Sequence, residues 1–283
     1  MKLALLGLVL VVLLLMVAFF YGHHQWEGGT QQLRALLRGA RMPMGVTRYD
    51  AAETLELPAP VRRYFSLVLR DGQPMVASVE LEHRGTFNMG ESAAQWKEFQ
   101  STQFVVMQKP GFDWNGTILM MPGLPVYVHD AYVVGQGILR AEMAGLFTLA
   151  DMAGTPEAAE GELMRFLAEA AWYPTRLLPS QGVQWEAVDE NRARATLVDG
   201  GKRVQLEFRF GEDGLIAGVR AEARYRMVGQ RLEAAPWEGR FWAYREHDGM
   251  KVPMEGEVSW ILPAGPWPYW RGRITQLRYE YER

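Results

Sequence analysis

One helical stretch, residues 161–185 (GELMRFLAEAAWYPTRLLPSQGVQW), interrupts a chain that otherwise alternates apolar and polar residues with the period of a β-strand. Upstream, Val79, Leu81 and His83 alternate with Glu80, Glu82 and Arg84. Downstream, Val204, Leu206, Phe208 and Phe210 alternate with Gln205, Glu207 and Arg209, and Val219, Ala221 and Ala223 with Arg220, Glu222 and Arg224. The turns Asp199-Gly200-Gly201 and Glu212-Asp213-Gly214 are short, so the strands they join must be antiparallel neighbours. Residues 126–150 are apolar on both phases and are broken by Gly135, Gly137 and Gly145, which reads as two central strands. The expected fold class is therefore α+β, mainly β: a curved antiparallel sheet or half-barrel of about ten strands, ten or eleven by the period, with a lid helix.

The lid is expected within residues 156–172, with Thr155 capping and Pro156 in the first turn. Leu163, Leu167, Ala170 and Ala171 form a broad apolar face with Phe166 at its border. Only Glu162, Arg165 and Glu169 make a narrow polar stripe. Such a helix has to bury most of its circumference, and each fully buried Leu or Phe contributes about 1.5 to 3 kcal/mol, enough to hold it across the concave face of a sheet. Ten Trp, eleven Tyr, twelve Phe and fifteen Met suit either a generous core or an adaptable apolar cavity.

Residues 3–21 carry no charge, and fourteen of them are Leu, Val or Phe. As a helix they rise roughly 28 Å, close to the hydrocarbon thickness of a bilayer. The run is longer than a signal-peptide core and ends in Ala18-Phe19-Phe20-Tyr21, bulky where a peptidase needs small side chains, which favours an uncleaved anchor over a cleaved signal. The α-amino group and Lys2 precede the span, while Glu27 offsets Arg34 beyond it, so the start stays cytoplasmic and the rest lies outside. The expected division is residues 1–22 as a transmembrane signal anchor, 23–56 as a juxtamembrane linker with a short helix at 31–39, and 57–283 as a single domain. A second helix is expected from Val61, with Val61, Tyr64, Phe65 and Val68 on its packed face.

A net charge of −3, from 30 basic and 33 acidic residues, removes the electrostatic footprint that nucleic-acid binding needs. The absence of cysteine excludes disulfides, thiol catalysis and thiolate metal sites. His23, His24, His83, His129 and His247 show no metal-ligand spacing, and no phosphate loop, nucleophile elbow or triad spacing appears. No metal or cofactor is implied.

Glu162, Arg165 and Glu169 share one helix face, so Arg165 can pair with either carboxylate. Under a lid, two carboxylates held by one arginine can do acid–base work or bind a polar head group; on a solvated face they are an ordinary salt-bridge stripe. Asp130 shares its strand phase with Val126, Val128 and Tyr132, and a carboxylate there needs a partner or a shifted pKa. Catalytic candidates are thus Glu162, Glu169 and Asp130; ligand-binding candidates are Arg165, Phe166, Trp172, Tyr173, Tyr132, Trp114, Arg271 and Arg273. Arg271 and Arg273 share a phase with Leu277, Tyr279 and Tyr281, so either a bulge flips the register or an arginine faces inward. The aromatics of Trp172-Tyr173-Pro174 and Pro266-Trp267-Pro268-Tyr269-Trp270 read as turn residues that line a cavity mouth, form a partner surface or pack on the core.

The motifs Pro110-Gly111-Phe112-x-Trp114, Val128-x-Asp130-Ala131-Tyr132-Val133-x-Gly135-x-Gly137, residues 161–169 continuing through Trp172-Tyr173-Pro174-Thr175 to Ser180, and Pro268-Tyr269-Trp270-Arg271-Gly272-Arg273-Ile274 resemble a bacterial family classed as a domain of unknown function, over roughly residues 57–281. The order helix, strands, helix, strands also looks like the periplasmic lipoprotein-carrier half-barrel, which implies a helical lid over an apolar cavity. The resulting expectation is a single-pass protein of the bacterial inner membrane. Its extracytoplasmic domain would bind a lipid or other hydrophobic ligand, with no protein partner identifiable. The alternatives are a hydrolase or lyase using the Glu/Arg/Glu and Asp130 cluster, and an envelope interaction module without a cavity.

Overall fold

The alternating segments join into one antiparallel sheet, seen in a computed structural model that describes residues 2–90, 92–229 and 231–282. Met1, whose amino group enters the orientation argument, and Arg283, the end of the expected domain, lie outside the described residues. Thirteen strands are present among the described residues. They are β1 (Val76–Asn88), β2 (Trp96–Val106), β3 (Gly111–Met121), β4 (Leu124–Val133), β5 (Gln136–Met143), β6 (Phe147–Ala153), β7 (Gln184–Ala187), β8 (Arg192–Asp199), β9 (Lys202–Phe210), β10 (Ile216–Val228), β11 (Arg231–His247), β12 (Met250–Leu262) and β13 (Gly265–Tyr281). Their order is β6-β5-β4-β3-β2-β1-β13-β12-β11-β10-β9-β8-β7.

This order makes the lid a topological necessity. From β1 the chain steps outward to the β6 edge, crosses to the opposite edge at β7, then steps back until β13 pairs with β1. The crossing segment is the helix α3 (Pro156–Glu169) and three short 3-10 turns after it. Thr155 caps α3, accepting from Ala158 N at 3.1 Å, as its sequence requires. Leu163, Phe166 and Leu167 are fully buried. α3 touches β4 and β5 on one wing and β9 and β10 on the other. Backbone meets backbone at Gly137, where an added β-carbon would lie 2.3 Å from Ala158 and Ala159. Tyr132 donates to Asp199 Oδ2 at 2.8 Å and Lys202 Nζ to the Gly135 carbonyl at 3.1 Å, so the β4–β5 and β8–β9 hairpins meet and the sheet curls into a half-barrel.

Two strands exceed the period count. β6 and β7 are the sheet edges, short and largely exposed, and their residues lack a clean alternation. The stretch 126–150 forms three strands, β4, β5 and most of β6, and they sit at the edge of the sheet where two central strands were expected. β4 is nonetheless apolar on both phases because both of its faces are covered. Val126 and Tyr132 face the lid, while Tyr127, His129, Ala131 and Val133 lie under α1 (Lys2–Gly39).

α1 is one helix of 38 residues, so the segment expected as a separate short helix at 31–39 is its last turns. Its second half docks on the convex side of β2, β3 and β4. Trp26 stacks on His129 at 4.0 Å and donates to Asn115 Oδ1 at 2.8 Å. Arg34 pairs with Asp113 at 2.9 Å, and Leu37 packs with Phe104, Val106, Ala131 and Val133. Its first half is exposed, and is long and apolar enough to cross a membrane. The helix α2 (Ala59–Val68) buries Val61, Tyr64, Phe65 and Val68, the face its spacing indicates.

Candidate functional site

Between α3 and the concave face lies a cavity of about 330 Å³, within the range of small-ligand sites. One wall is aromatic: Trp237 from β11, Trp260 from β12, and Trp267, Tyr269 and Trp270 from β13, with Phe241 and Phe87. These β13 aromatics lie on a strand, although their prolines read as a turn. A bulge between the pairs Val258–Trp270 and Ser259–Pro268 leaves Tyr269 and Trp270, neighbours in sequence, both against the cavity. Trp172, at the exit of α3, and Trp114 of β3 complete the lining.

The opposite wall carries charge. Of the two readings of the polar stripe of α3, the structure has the inward one: Glu162 and Glu169 are buried, and the Arg165 side chain is 13% exposed. Arg165 forms an ion pair with Asp130 across to β4, and its Nε donates to Glu169 Oε1 at 2.6 Å. Glu169 Oε2 accepts from Gln103 Nε2 at 2.6 Å. Glu162 pairs with Arg224 at 3.0 Å. Arg165 stacks over Phe112 and Trp114, and Arg224 over Trp237, so each guanidinium has an aromatic face as well as a carboxylate. A β-carbon on Gly161 would meet Arg224 Nε at 3.3 Å, and the glycine keeps that approach open.

Burial, reinforced by the charge of Asp130, raises the pKa of Glu162 well above the carboxylate range, against the opposing pull of Arg224 and Arg165. Glu162 Oε2 and Asp130 Oδ1 are both buried without a donor among the described residues. One proton on Glu162, directed at Asp130, gives both a partner and leaves two guanidinium charges facing two carboxylates. The wall is then neutral and can hold a polar group without net repulsion. Burial works against the charge of Arg165, but Glu169 and Asp130 beside it more than restore it, so Arg165 stays ionised.

Among the expected site residues, Glu162, Arg165, Glu169, Asp130, Trp114 and Trp172 converge on this cavity. Phe166 and Tyr173 do not line it: they pack behind the helix, where Tyr173 donates to the Phe166 carbonyl at 3.1 Å. Tyr132 is buried and closes the wings through Asp199. Arg271 and Arg273 lie on the convex surface, Arg271 pairing with Glu257 at 2.6 Å and stacking on Trp96. The register resolves the sequence ambiguity: Glu82 pairs with Gln276 but His83 with Ile274, so Thr275 is an extra residue. Its bulge turns Ile274 and Trp270 inward and the arginines out.

Arg224 takes the place expected for them. In unbroken alternation it opposes Val219 and Ala221, but β10 gains a residue between the pairs Ala221–Trp237 and Arg224–Ala235. Pro236, which has no N–H to offer the ladder, sits opposite the bulge and is the one sequence signal for it. Gln103 is the other partner that period alone does not reveal.

Residues 55–279 match a family described as a family of unknown function, DUF6920. No curated protein matches the chain. A solved LolA superfamily protein from Nitrosomonas europaea is similar over 88% of this chain and 93% of its own, with 9% identity and a TM-score of 0.37. A β-barrel-like protein of the domain of unknown function DUF1849 from Brucella abortus is similar over 73% and 99%, with 9% identity and a TM-score of 0.23.

Proposed function

The chain belongs to the DUF6920 family, and we propose that this protein is a membrane-anchored, extracytoplasmic binder of an amphiphilic ligand, a lipid or other hydrophobic molecule with a polar group. The carrying observation is the cavity beneath α3, with tryptophans on one wall and the Arg165–Asp130–Glu169 and Arg224–Glu162 pairs on the other. An aromatic wall takes an apolar body and the paired charges take a polar end. Two indole N–H groups on lining residues, Trp114 Nε1 and Trp172 Nε1, have no acceptor among the described residues. On this reading the uncharged residues 3–21 of α1 are the anchor, and the flanking charge supports a domain outside the cytoplasm.

The test is native mass spectrometry and solvent extraction of the full chain purified from membranes. An amphiphile near one per chain is expected. Loss of any bound species, together with failure to bind a fluorescent fatty-acid probe saturably, would reject the proposal. The Glu162 and Asp130 carboxyls support a second reading, a hydrolase or lyase with Glu162 as general acid. On that reading Glu162→Gln abolishes conversion of the extracted amphiphile; on the binding reading the bound species is the same in both proteins. An interaction module without a cavity is opposed by the cavity itself.

A further inference from the structure

The uncharged run ends at Tyr21, and the next residue, Gly22, is already buried against the turn between β5 and β6. A β-carbon on Gly22 would lie 2.2 Å from the Ala144 carbonyl oxygen and 2.9 Å from Leu146 Cγ, so hairpin and helix touch where the span stops. The β3–β4 turn is at the same level, since Ala144 N donates to the Pro125 carbonyl at 2.9 Å and Met121 pairs with Leu124.

Around this point the tips of the two hairpins carry exposed apolar side chains. Leu119 shares the outward phase of β3 with Asn115, the partner of Trp26, and Met121, beyond the register shift that makes Met120 an extra residue, stands exposed at the tip of the β3–β4 hairpin. Leu146 is at the β5–β6 turn, Phe147 pairs with Met143 directly beside it, and Leu149 is the extra residue between the pairs Glu142–Thr148 and Ala141–Ala150; all three are exposed. Phe147 is 66% and Met121 59% exposed. Large apolar side chains gathered at two hairpin tips, at the level where the span emerges, are ill-suited to water and well-suited to the headgroup–acyl boundary.

We propose that Leu119, Met121, Leu146, Phe147 and Leu149 form a collar bedded in the outer interface of the same bilayer that α1 crosses. This inference rests on the reading of α1 as an uncleaved anchor but not on the cavity holding a ligand. The collar sets the pose of the domain and brings the β5–β6 hairpin, whose Leu139 and Met152 line the cavity, against the membrane.

The chain has no cysteine, so single sites can be labelled. The full chain is placed in nanodiscs of phosphatidylethanolamine and phosphatidylglycerol, with a spin label at Met121→Cys, Phe147→Cys or, as the remote control, Val198→Cys beside the Tyr132–Asp199 contact. Collar labels are expected to be several-fold more accessible to oxygen than to a water-soluble nickel chelate, and Val198 the reverse. Equal water exposure at all three sites overturns the proposal. Collar labels buried in native membranes yet water-exposed in nanodiscs also overturn it, in favour of a protein partner. Collar burial in a protein with an empty cavity leaves this inference standing while the ligand reading fails.

Discussion

Gly22 of α1 and Gly145 of the β5–β6 turn cross with no room for a side chain on either: a β-carbon on Gly145 would lie 2.2 Å from the Gly22 carbonyl oxygen. Gly145 also holds φ +68°, a conformation other residues rarely adopt. Gly22→Val is expected to lift the helix from the hairpin at a cost of about 1 to 3 kcal/mol. Hydrogen exchange should then show lost protection from Trp26 to Leu37 while β8–β13 remain unchanged. Unchanged protection in α1 would show that the crossing does not hold the helix.

Arg165→Met leaves Asp130 and Glu169 buried without their counter-ion and is expected to cost about 3 to 5 kcal/mol. Arg271→Met removes a pair whose arginine is half exposed and should change stability by no more than about 1 kcal/mol. Urea unfolding of the two variants, followed by tryptophan fluorescence, separates an interior arginine from a surface one.

Glu162 takes up its proton more readily folded than unfolded. In the window from its ordinary pKa up to its raised one the native state binds more protons, so its contribution is full at acid pH and is lost as pH rises through the raised value. Glu162→Gln, which keeps the shape but not the titration, should grow more stable relative to the native protein as pH is raised. A stability difference independent of pH between 5 and 9 would mean that Glu162 is ionised throughout.

Two histidines act in the opposite sense. Burial, with the charges of Arg34 and Arg140, holds His129 at about 3, and burial with Arg165 does the same for His83. Each contributes stability that is complete above about 6.5 and declines as pH falls towards 3, because the unfolded chain protonates first. His129→Phe retains the stack on Trp26 and gives up the 2.7 Å contact with Thr30, so it should be less stable at pH 7 yet lose less on acidification. Parallel stability–pH curves would contradict this.

What the sequence displayed was the backbone plan: the alternation of β1, β9 and the first half of β10, the Thr155 cap, and the packed face of α2 all appear where their spacing puts them. Asp130 was legible as a carboxylate in need of a partner because apolar residues surround it in phase. The inward turn of Glu162, Arg165 and Glu169 was not, since a polar stripe on a helix reads the same whether water or a charged cavity faces it. Nor was the continuity of α1 through Gly28 and Gly29, a pair that weakens a free helix by about 1 kcal/mol per glycine. The Trp26–His129 stack and the Arg34–Asp113 pair outweigh that local preference, and both depend on strands some 80 to 100 residues away.

Two of the register slips, in β10 and at Thr275, make the chemistry of the interior a matter of parity. Removing a single residue from either strand would exchange inside for outside over everything between that point and the next turn, evicting Arg224 in one case and admitting Arg271 and Arg273 in the other. Relatives that share every motif yet differ by one residue at these places would carry a different set of charges beneath the same helix.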